Sequence, residues 1–437
     1  MPQYQGIWNL QQAAQALTSQ QWVTDPNFKN TTLLLQADNA ANGAQNNTFL
    51  DSSSNAFAIT RNGNTTQGSF TPFSQAPGYW GNYFDGTSGQ YLNAPANTVF
   101  NFGTGDFTVE AWVYPTSTTI TRPIIEIRTA GTSATGFAFL SQSGATTLNV
   151  YINSAFVGAS TNSLTTNAWN HAALTRSGNT WTYWINGVSS GTFTNSSTQS
   201  DGGTTGPKIG GSTTVGEIWI GYISNARITK GGALYTSNFT PSTTPLTTTV
   251  SAGTVSLLTC QSNRFVDNGT ANAGSGFTIT VNGTPSVQAF SPFAPQYQWT
   301  SSVIGGSGYF DGSASTYLTT PASGQFAPAG NFTIACWFYI SSLAAQRHIL
   351  GNYAAAAAGN WLAEVTTGGT LQVFLDGSTL RLSATGIVAG QWYYMTITRT
   401  GTTITGQLNG ANFNGTATYT LSGTCLLYTS PSPRDVE

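Results

Sequence analysis

Apolar and polar residues alternate over short stretches of this chain. Phe107, Val109, Ala111 and Val113 fall on one side of an extended segment, and Phe332, Ile334, Cys336 and Phe338 do the same much later. A period of two puts alternate side chains on opposite faces of a strand, so each run predicts a strand with one buried face. Ala172 with Leu174, and Met395 with Ile397, continue the pattern. Ser177-Gly178, Asn186-Gly187, Thr400-Gly401 and Asn409-Gly410 supply tight turns between such runs. No helical period competes over these stretches, and the pattern predicts an all-β protein built of two-sheet antiparallel sandwiches. The exception is Leu10-Gln11-Gln12-Ala13-Ala14-Gln15-Ala16-Leu17, which predicts a short helix capped by Asn9 and flanked by Trp8 and Trp22. Residues 1–29 therefore read as an N-terminal arm, either an adaptor or a frayed terminus.

The whole pattern occurs twice. Tyr83-Phe84-Asp85-Gly86 returns as Tyr309-Phe310-Asp311-Gly312, the strand Asp106–Tyr114 as Asn331–Tyr339, and Trp169–Arg176 as Trp392–Arg399. The separation of about 225 residues marks a duplicated domain, since solenoid units repeat every 20–50 or so. On this basis module 1 spans 30–248 and module 2 spans 249–424. A Thr- and Pro-rich linker runs from Thr240 to Thr254, where Pro241 and Pro245 interrupt any strand. Module 1 continues for dozens of residues after Asn186-Gly187, whereas module 2 has only a short stretch after Asn409-Gly410. Module 2 is therefore expected to lack its closing strands and to expose a sheet edge.

Composition narrows the function classes. Charged residues make up 6 % of the 437 and aromatics 12 %, with 12 Trp. Disordered chains combine few aromatics with high charge, so this is a folded composition of low solubility. Net charge is −2 with only 13 Lys and Arg, which argues against a phosphate-tracking nucleic-acid surface. The start shows neither the basic nor the apolar part of a signal peptide, and no apolar run is long enough to span a membrane. A composition suited to the extracellular space without an export signal fits a virion protein released by lysis. Cys260, Cys336 and Cys425 are too few for a disulfide framework. Cys260 and Cys336 each replace an Ala of the other copy, which fits a pair or two small buried residues.

The ordered series from Tyr83-Phe84-Asp85-Gly86 through Gly105–Val113, Trp169–Arg176, Asn186-Gly187 and Gly221–Ile228 resembles laminin G-like domains of the concanavalin A-like lectin/glucanase superfamily. Lys230–Pro241 and Ser256–Asn268 are similar to tandem laminin G-like proteins of marine tailed phages. The resemblance implies jelly-roll sandwiches in tandem and a recognition role. Its expected partners are a glycan or host cell-surface ligand and, through the N-terminal arm, other virion proteins, at a virion or extracellular location. Cys425–Asp435 resembles a translated sequencing adapter, which makes 425–437 a non-native tail on this reading.

Some relatives in the superfamily are glucanases, but the chain has only five Glu and no Glu-x-Asp-x-x-Glu strand. Glu110 lies on a strand, yet its counterpart is Ala335, and neither His171 nor His348 neighbours a nucleophile motif. The expectation is a binding protein and not an enzyme. Candidate sugar-stacking residues are Trp112 and Tyr114, with their counterparts Trp337 and Tyr339, which point away from the core face of their strands. They fit either a stacking platform or rings packed beneath a loop. Trp181 and Tyr183, beside Trp184, are candidates because the second copy has Ile404, Gly406 and Gln407 instead. Calcium is the family's expected cofactor. Asp51 aligns with Asp267 in polar loops, with Asp38 nearby, and metal ligation or an Asx-turn would suit either loop. Asp85 and Asp311 precede Gly and read as turn formers.

Overall fold

The computed structural model describes residues 28–37, 48–128, 136–153, 155–200, 205–212, 216–293, 306–326, 330–352, 360–375, 379–413, 417–418 and 428–429. The expected N-terminal helix, Asp38 and Cys425 lie outside the described residues. All strand pairs among the described residues are antiparallel, and the chain forms two compact units. One is Gln75–Gln296; the other joins Met1–Ser74 to Tyr297–Glu437.

The central unit is a complete sandwich. Its strands are β1 (Gly81–Asp85), β2 (Tyr91–Asn93), β3 (Phe107–Pro115), β4 (Arg122–Arg128), β5 (Gly136–Ser141), β6 (Thr147–Ile152), β7 (Ala155–Ser163), β8 (Asn170–Ser177), β9 (Thr180–Ile185), β10 (Val188–Thr194), β11 (Lys208–Ile209), β12 (Ile220–Lys230), β13 (Thr254–Thr259), β14 (Thr280–Asn282) and β15 (Ser286–Gln288). One sheet runs β10-β9-β8-β3-β12-β1-β15 with β13 paired to β12; the other runs β14-β2-β11-β4-β5-β6-β7. The alternation in the sequence becomes the inner face. Val109, Ala111, Val113, Ala172 and Leu174 are fully buried, as are Ile125, Ile127, Phe137, Phe139 and Val150 of the other sheet. The rings of Phe107 and Phe137 stack between the sheets at 5.1 Å.

The discontinuous unit repeats this plan in part. Phe332–Tyr339, Trp392–Thr400 and Thr403–Leu408 form one sheet. Thr60–Asn62, Tyr317–Thr319, Arg347–Gly351, Trp361–Val365, Leu371–Leu375 and Thr379–Ala384 belong to the other, together with Tyr428–Thr429. Trp361, Ala363, Val373, Met395, Ile397 and Ile404 make its core. Tyr428–Thr429 pairs with the strands that correspond to the two neighbours of β11, so this position is filled. No counterpart of β12 occurs among the described residues.

The compact units are offset from the repeat. A division at 248/249 falls in the connection between β12 and β13, which pair from Ala226↔Thr259 to Lys230↔Thr254. The stretch 240–254 is thus an internal connection and not a linker between domains. Leu246 is buried there and donates its N–H to Asn225 Oδ1 at 2.9 Å. Gly78 comes so close that a Cβ would lie 2.6 Å from Pro245. Proline bars a strand ladder but not packing, which is why composition suggested a linker. The opening segment of each copy joins a unit accordingly: residues 254–293 complete the central sandwich, and 28–74 belong with the C-terminal half.

Candidate functional site

Burial of Val109, Ala111 and Val113 turns Trp112 and Tyr114 to the outer face of the larger sheet, as their alternation required. They meet rings from three other elements there. Tyr114 lies beside Trp169 (5.6 Å), Tyr222 (5.8 Å) and Phe290 (5.2 Å), all edge-on. Tyr222 also contacts Tyr83 at 4.9 Å and Phe290 at 4.8 Å. Phe290 leans on Trp169 at 5.1 Å and stays 39 % exposed. Five rings therefore form a ridge that is largely half-buried and open at Phe290. Burial, together with the neighbouring Tyr83 and Tyr114 hydroxyls, raises the Tyr222 pKa. The Trp169 indole N–H is buried without an acceptor. Buried indoles usually find one, so this donor is an exception in the cluster.

The Phe-x-Pro-Phe crossing delivers Phe290 to this face and Phe293 beside Trp112, 5.8 Å away. Trp112 is only half-buried and its N–H also lacks a partner. It lines a cavity of about 370 Å³ with Pro241, Ser242, Thr243, Pro292 and Phe293, at the small end of ligand-pocket sizes. The discontinuous unit repeats the arrangement. Phe70 contacts Tyr339 at 5.2 Å and Trp392 at 5.4 Å, Phe73 contacts Trp337 at 5.7 Å, and the Trp392 N–H is again orphaned. Tyr309, the counterpart of Tyr83, is 60 % exposed. The structure thus places Trp112 and Tyr114 on one outer face but in separate ring contacts, and Trp337 and Tyr339 likewise, with partners the strand pattern did not single out. The repeated Phe-x-Pro-Phe was the signal for Phe70, Phe73, Phe290 and Phe293.

Other expected sites are corrected. Trp181 and Tyr183 are core residues, 0 % and 1 % exposed. Trp181 packs edge-on against Phe107 and Phe137 and donates to Asn195 O at 3.1 Å; the Tyr183 hydroxyl donates to Gly158 O at 2.7 Å. Their faces are already covered, so neither can stack on a sugar. Trp184 is buried on the opposite face and donates to Thr175 Oγ1.

The two loop aspartates are not arranged as metal ligands. Asp51 accepts from the backbone N–H groups of Leu34, Ser53 and Phe57 and from the Ser53 hydroxyl. Asp267 accepts from the N–H groups of Leu258, Gly269 and Phe277. Burial would raise the Asp51 pKa, but these donors outweigh it and lower it. A carboxylate ringed by N–H dipoles offers a cation few free lone pairs, so this donor set does not fit calcium. Asp85 and Asp311 are turn formers: Asp85 accepts from Thr87 N–H, and Asp311 from Ser313 N–H. Cys260 and Cys336 are free thiols in different units.

Two buried ionic clusters were not foreseen. Glu110 is fully buried on the outer side of β3, bound by Arg227 (2.7 and 2.9 Å), His171 Nε2 (3.0 Å) and the Tyr235 hydroxyl (2.7 Å). Arg128 bridges Glu126 (2.6 Å) and Glu217 (3.0 Å), while Lys208 lies 3.5 Å from Glu126. Their members are far apart in sequence, and the Glu126-x-Arg128 alternation was the only local sign.

Residues 85–235 and 310–429 match a family model described as Laminin_G_3, of the concanavalin A-like lectin/glucanases superfamily. Each block falls within one compact unit. Similar solved structures include a Bacteroides ovatus protein (16 % identity, TM-score 0.37, covering 50 % of this chain and 62 % of that one). Domains LG4-5 of the mouse laminin α1 chain (12 % identity, TM-score 0.26, 84 % and 85 % covered) and the SAP-like pentraxin of Limulus polyphemus (17 %, 0.32, 49 % and 96 %) are further examples. No curated protein matches the chain. With the family model matching more than half of its length in two blocks, the chain belongs to the concanavalin A-like lectin/glucanases superfamily, as a tandem of laminin G-type units.

Proposed function

We propose that the chain binds carbohydrate without transforming it, and that the ridge of Tyr83, Tyr114, Trp169, Tyr222 and Phe290 is where a sugar ring stacks. The observation that carries this reading is the repeat of three of these rings, with an orphan indole N–H, in both units: Tyr114, Trp169 and Phe290 in one, Tyr339, Trp392 and Phe70 in the other. Aromatic rings with polar edges suit the C–H faces of pyranoses. The scarcity of basic side chains favours uncharged glycans. A non-catalytic role is supported by the carboxylates. Glycoside hydrolysis needs two carboxylates facing each other across the bond, whereas Glu126 and Glu217 are both engaged by Arg128, and Glu110 is enclosed. The setting we infer is a virion-borne or extracellular adhesin, with two units giving avidity where both engage at once.

The test is a glycan array and titration calorimetry on the intact chain and on Phe290→Ala with Tyr309→Ala. Both side chains are exposed, so their removal spares the fold. Losing a stacked ring costs about 1 kcal/mol, roughly a fivefold weaker Kd, and chelator leaves binding unchanged. Glycan binding untouched by these substitutions, or no glycan binding by the folded chain, overturns the reading.

A further inference from the structure

Trp112 lies outside the ridge of the central unit but beside it. It sits two residues from Tyr114 on the same outer face of β3, about 7 Å along the strand. The crossing serves both rings: Phe290 meets Tyr114 at 5.2 Å and Phe293 meets Trp112 at 5.8 Å. The cavity of about 370 Å³ beside Trp112 therefore adjoins the ridge. Its facing wall is Pro241, Ser242 and Thr243, from the connection between β12 and β13. Among the described residues, none that lines it is charged. Rings of Trp, Phe and Pro, with the hydroxyls of Ser242 and Thr243, suit an uncharged hydroxylated ring.

One buried cluster braces both walls. His171 meets Trp112 edge-on at 5.2 Å and bonds to Glu110 at 3.0 Å. On the other side the Tyr235 hydroxyl donates to Glu110 at 2.7 Å, and the Tyr235 ring stacks at 3.6 Å on Phe239, two residues before Pro241. Phe239 donates its N–H to Gly187 O at 2.9 Å. The approach is so close that a Cβ on Gly187 would lie 1.9 Å from Phe239 O and 2.9 Å from Pro241 Cδ. The discontinuous unit packs its own core with Ala335 and Tyr394 in place of Glu110 and His171. A core of this type thus forms without the buried carboxylate, whose desolvation is costly. We propose that the cavity is a second sugar subsite, that the ligand is an uncharged oligosaccharide of at least two residues, and that Glu110 is a positioning residue for both walls. The inference rests on the sugar-stacking role of the ridge. One sugar residue stacks at Tyr114 and Phe290, and the next enters between Trp112 and Ser242.

The probes are glucose, galactose, mannose and N-acetylglucosamine, each as monomer, linear dimer and linear tetramer, titrated calorimetrically into the intact chain. For the sugar that binds, dimer and tetramer are at least about fivefold tighter than the monomer, the gain from one further aromatic contact. Ser242→Trp fills the cavity from an exposed position and removes that gain at an unchanged monomer Kd. Tyr235→Phe deletes the hydroxyl that reaches Glu110 but keeps the stacked ring. It reduces the gain with length and leaves the monomer Kd alone, a split that general loss of structure would not produce. Phe290→Ala weakens monomer and tetramer alike. Equal affinity for monomer and tetramer, both weakened by Phe290→Ala, overturns the second subsite and leaves the ridge standing. A gain with length that survives Ser242→Trp overturns the assignment to this cavity, and one that survives Tyr235→Phe overturns the positioning role. Absence of binding by every probe overturns the ridge and the subsite together.

Discussion

Glu110 shows how one side chain is kept charged inside a sandwich. Burial pushes its pKa up, but the hydrogen bond from His171, the charges of Arg227 and His171 and the Tyr235 hydroxyl outweigh burial and hold it at about 2. The same carboxylate, with burial acting first, raises the pKa of Tyr235. A folded pKa below the unfolded value of 4.5 stabilises the fold above pH 4.5 and loses that contribution as pH falls through the folded value. The central unit is therefore expected to lose on the order of 3 kcal/mol between about pH 5 and pH 2. Urea titrations across that range check this. Glu110→Gln flattens the dependence, and an unchanged slope in the variant assigns it to another carboxylate. The second copy has Ala335 for Glu110 and Tyr394 for His171, so these two partners are replaced together, as members of a structural ion network would be. The same comparison misled at Trp181 and Tyr183, where absence from one copy looked like function. Ile404, the counterpart of Trp181, is also fully buried. At Gly406, the counterpart of Tyr183, the Phe413 ring lies 2.1 Å from where a Cβ would be. The two copies fill one core with different rings, and a sequence lists the rings without the volume they share.

At the scale of elements, the aspartates decide how each opening segment is held. Asp267 ties the end of β13 to the loop that follows through three backbone donors, and Asp51 does the same for residues 34 to 57. The alignment of the two residues was legible in the sequence, but their donors were not, because backbone N–H groups have no sequence signature. Calcium and a backbone anchor therefore stood level until the fold supplied direction. Asp267→Ala leaves three buried N–H groups unpaired and is expected to cost roughly 2–4 kcal/mol, read as a lower urea midpoint at unchanged m-value. A ligand bound to the native state would raise its melting temperature, so calcium and chelator should leave the thermal midpoint of the parent chain where it is. A calcium-dependent rise that Asp267→Ala abolishes would return the metal to this loop.

At the scale of the whole chain, the period of the sequence and the unit of folding differ. Strand alternation gave the class, the repeat gave two sandwiches, and the outward aromatics Trp112, Tyr114, Trp337 and Tyr339 were placed correctly on their strands. The phase of the repeat was not legible, because a duplicated pattern looks the same wherever the cut is made. Pairing fixes the phase. β13, β14 and β15 bond to β12, β2 and β1, so residues 254–293 complete the central sandwich. Removing them exposes Leu92, Phe84 and Ile228, all buried in the intact unit. A fragment of residues 75–296 should therefore fold alone, with one cooperative thermal transition and dispersed amide resonances. A fragment of residues 30–248 carries an opening segment that belongs to the other unit and lacks its own, and should aggregate or melt without cooperativity. Equal cooperativity of the two fragments would mean that the opening segment can complete either sandwich, and would make segment exchange between units a property of this chain.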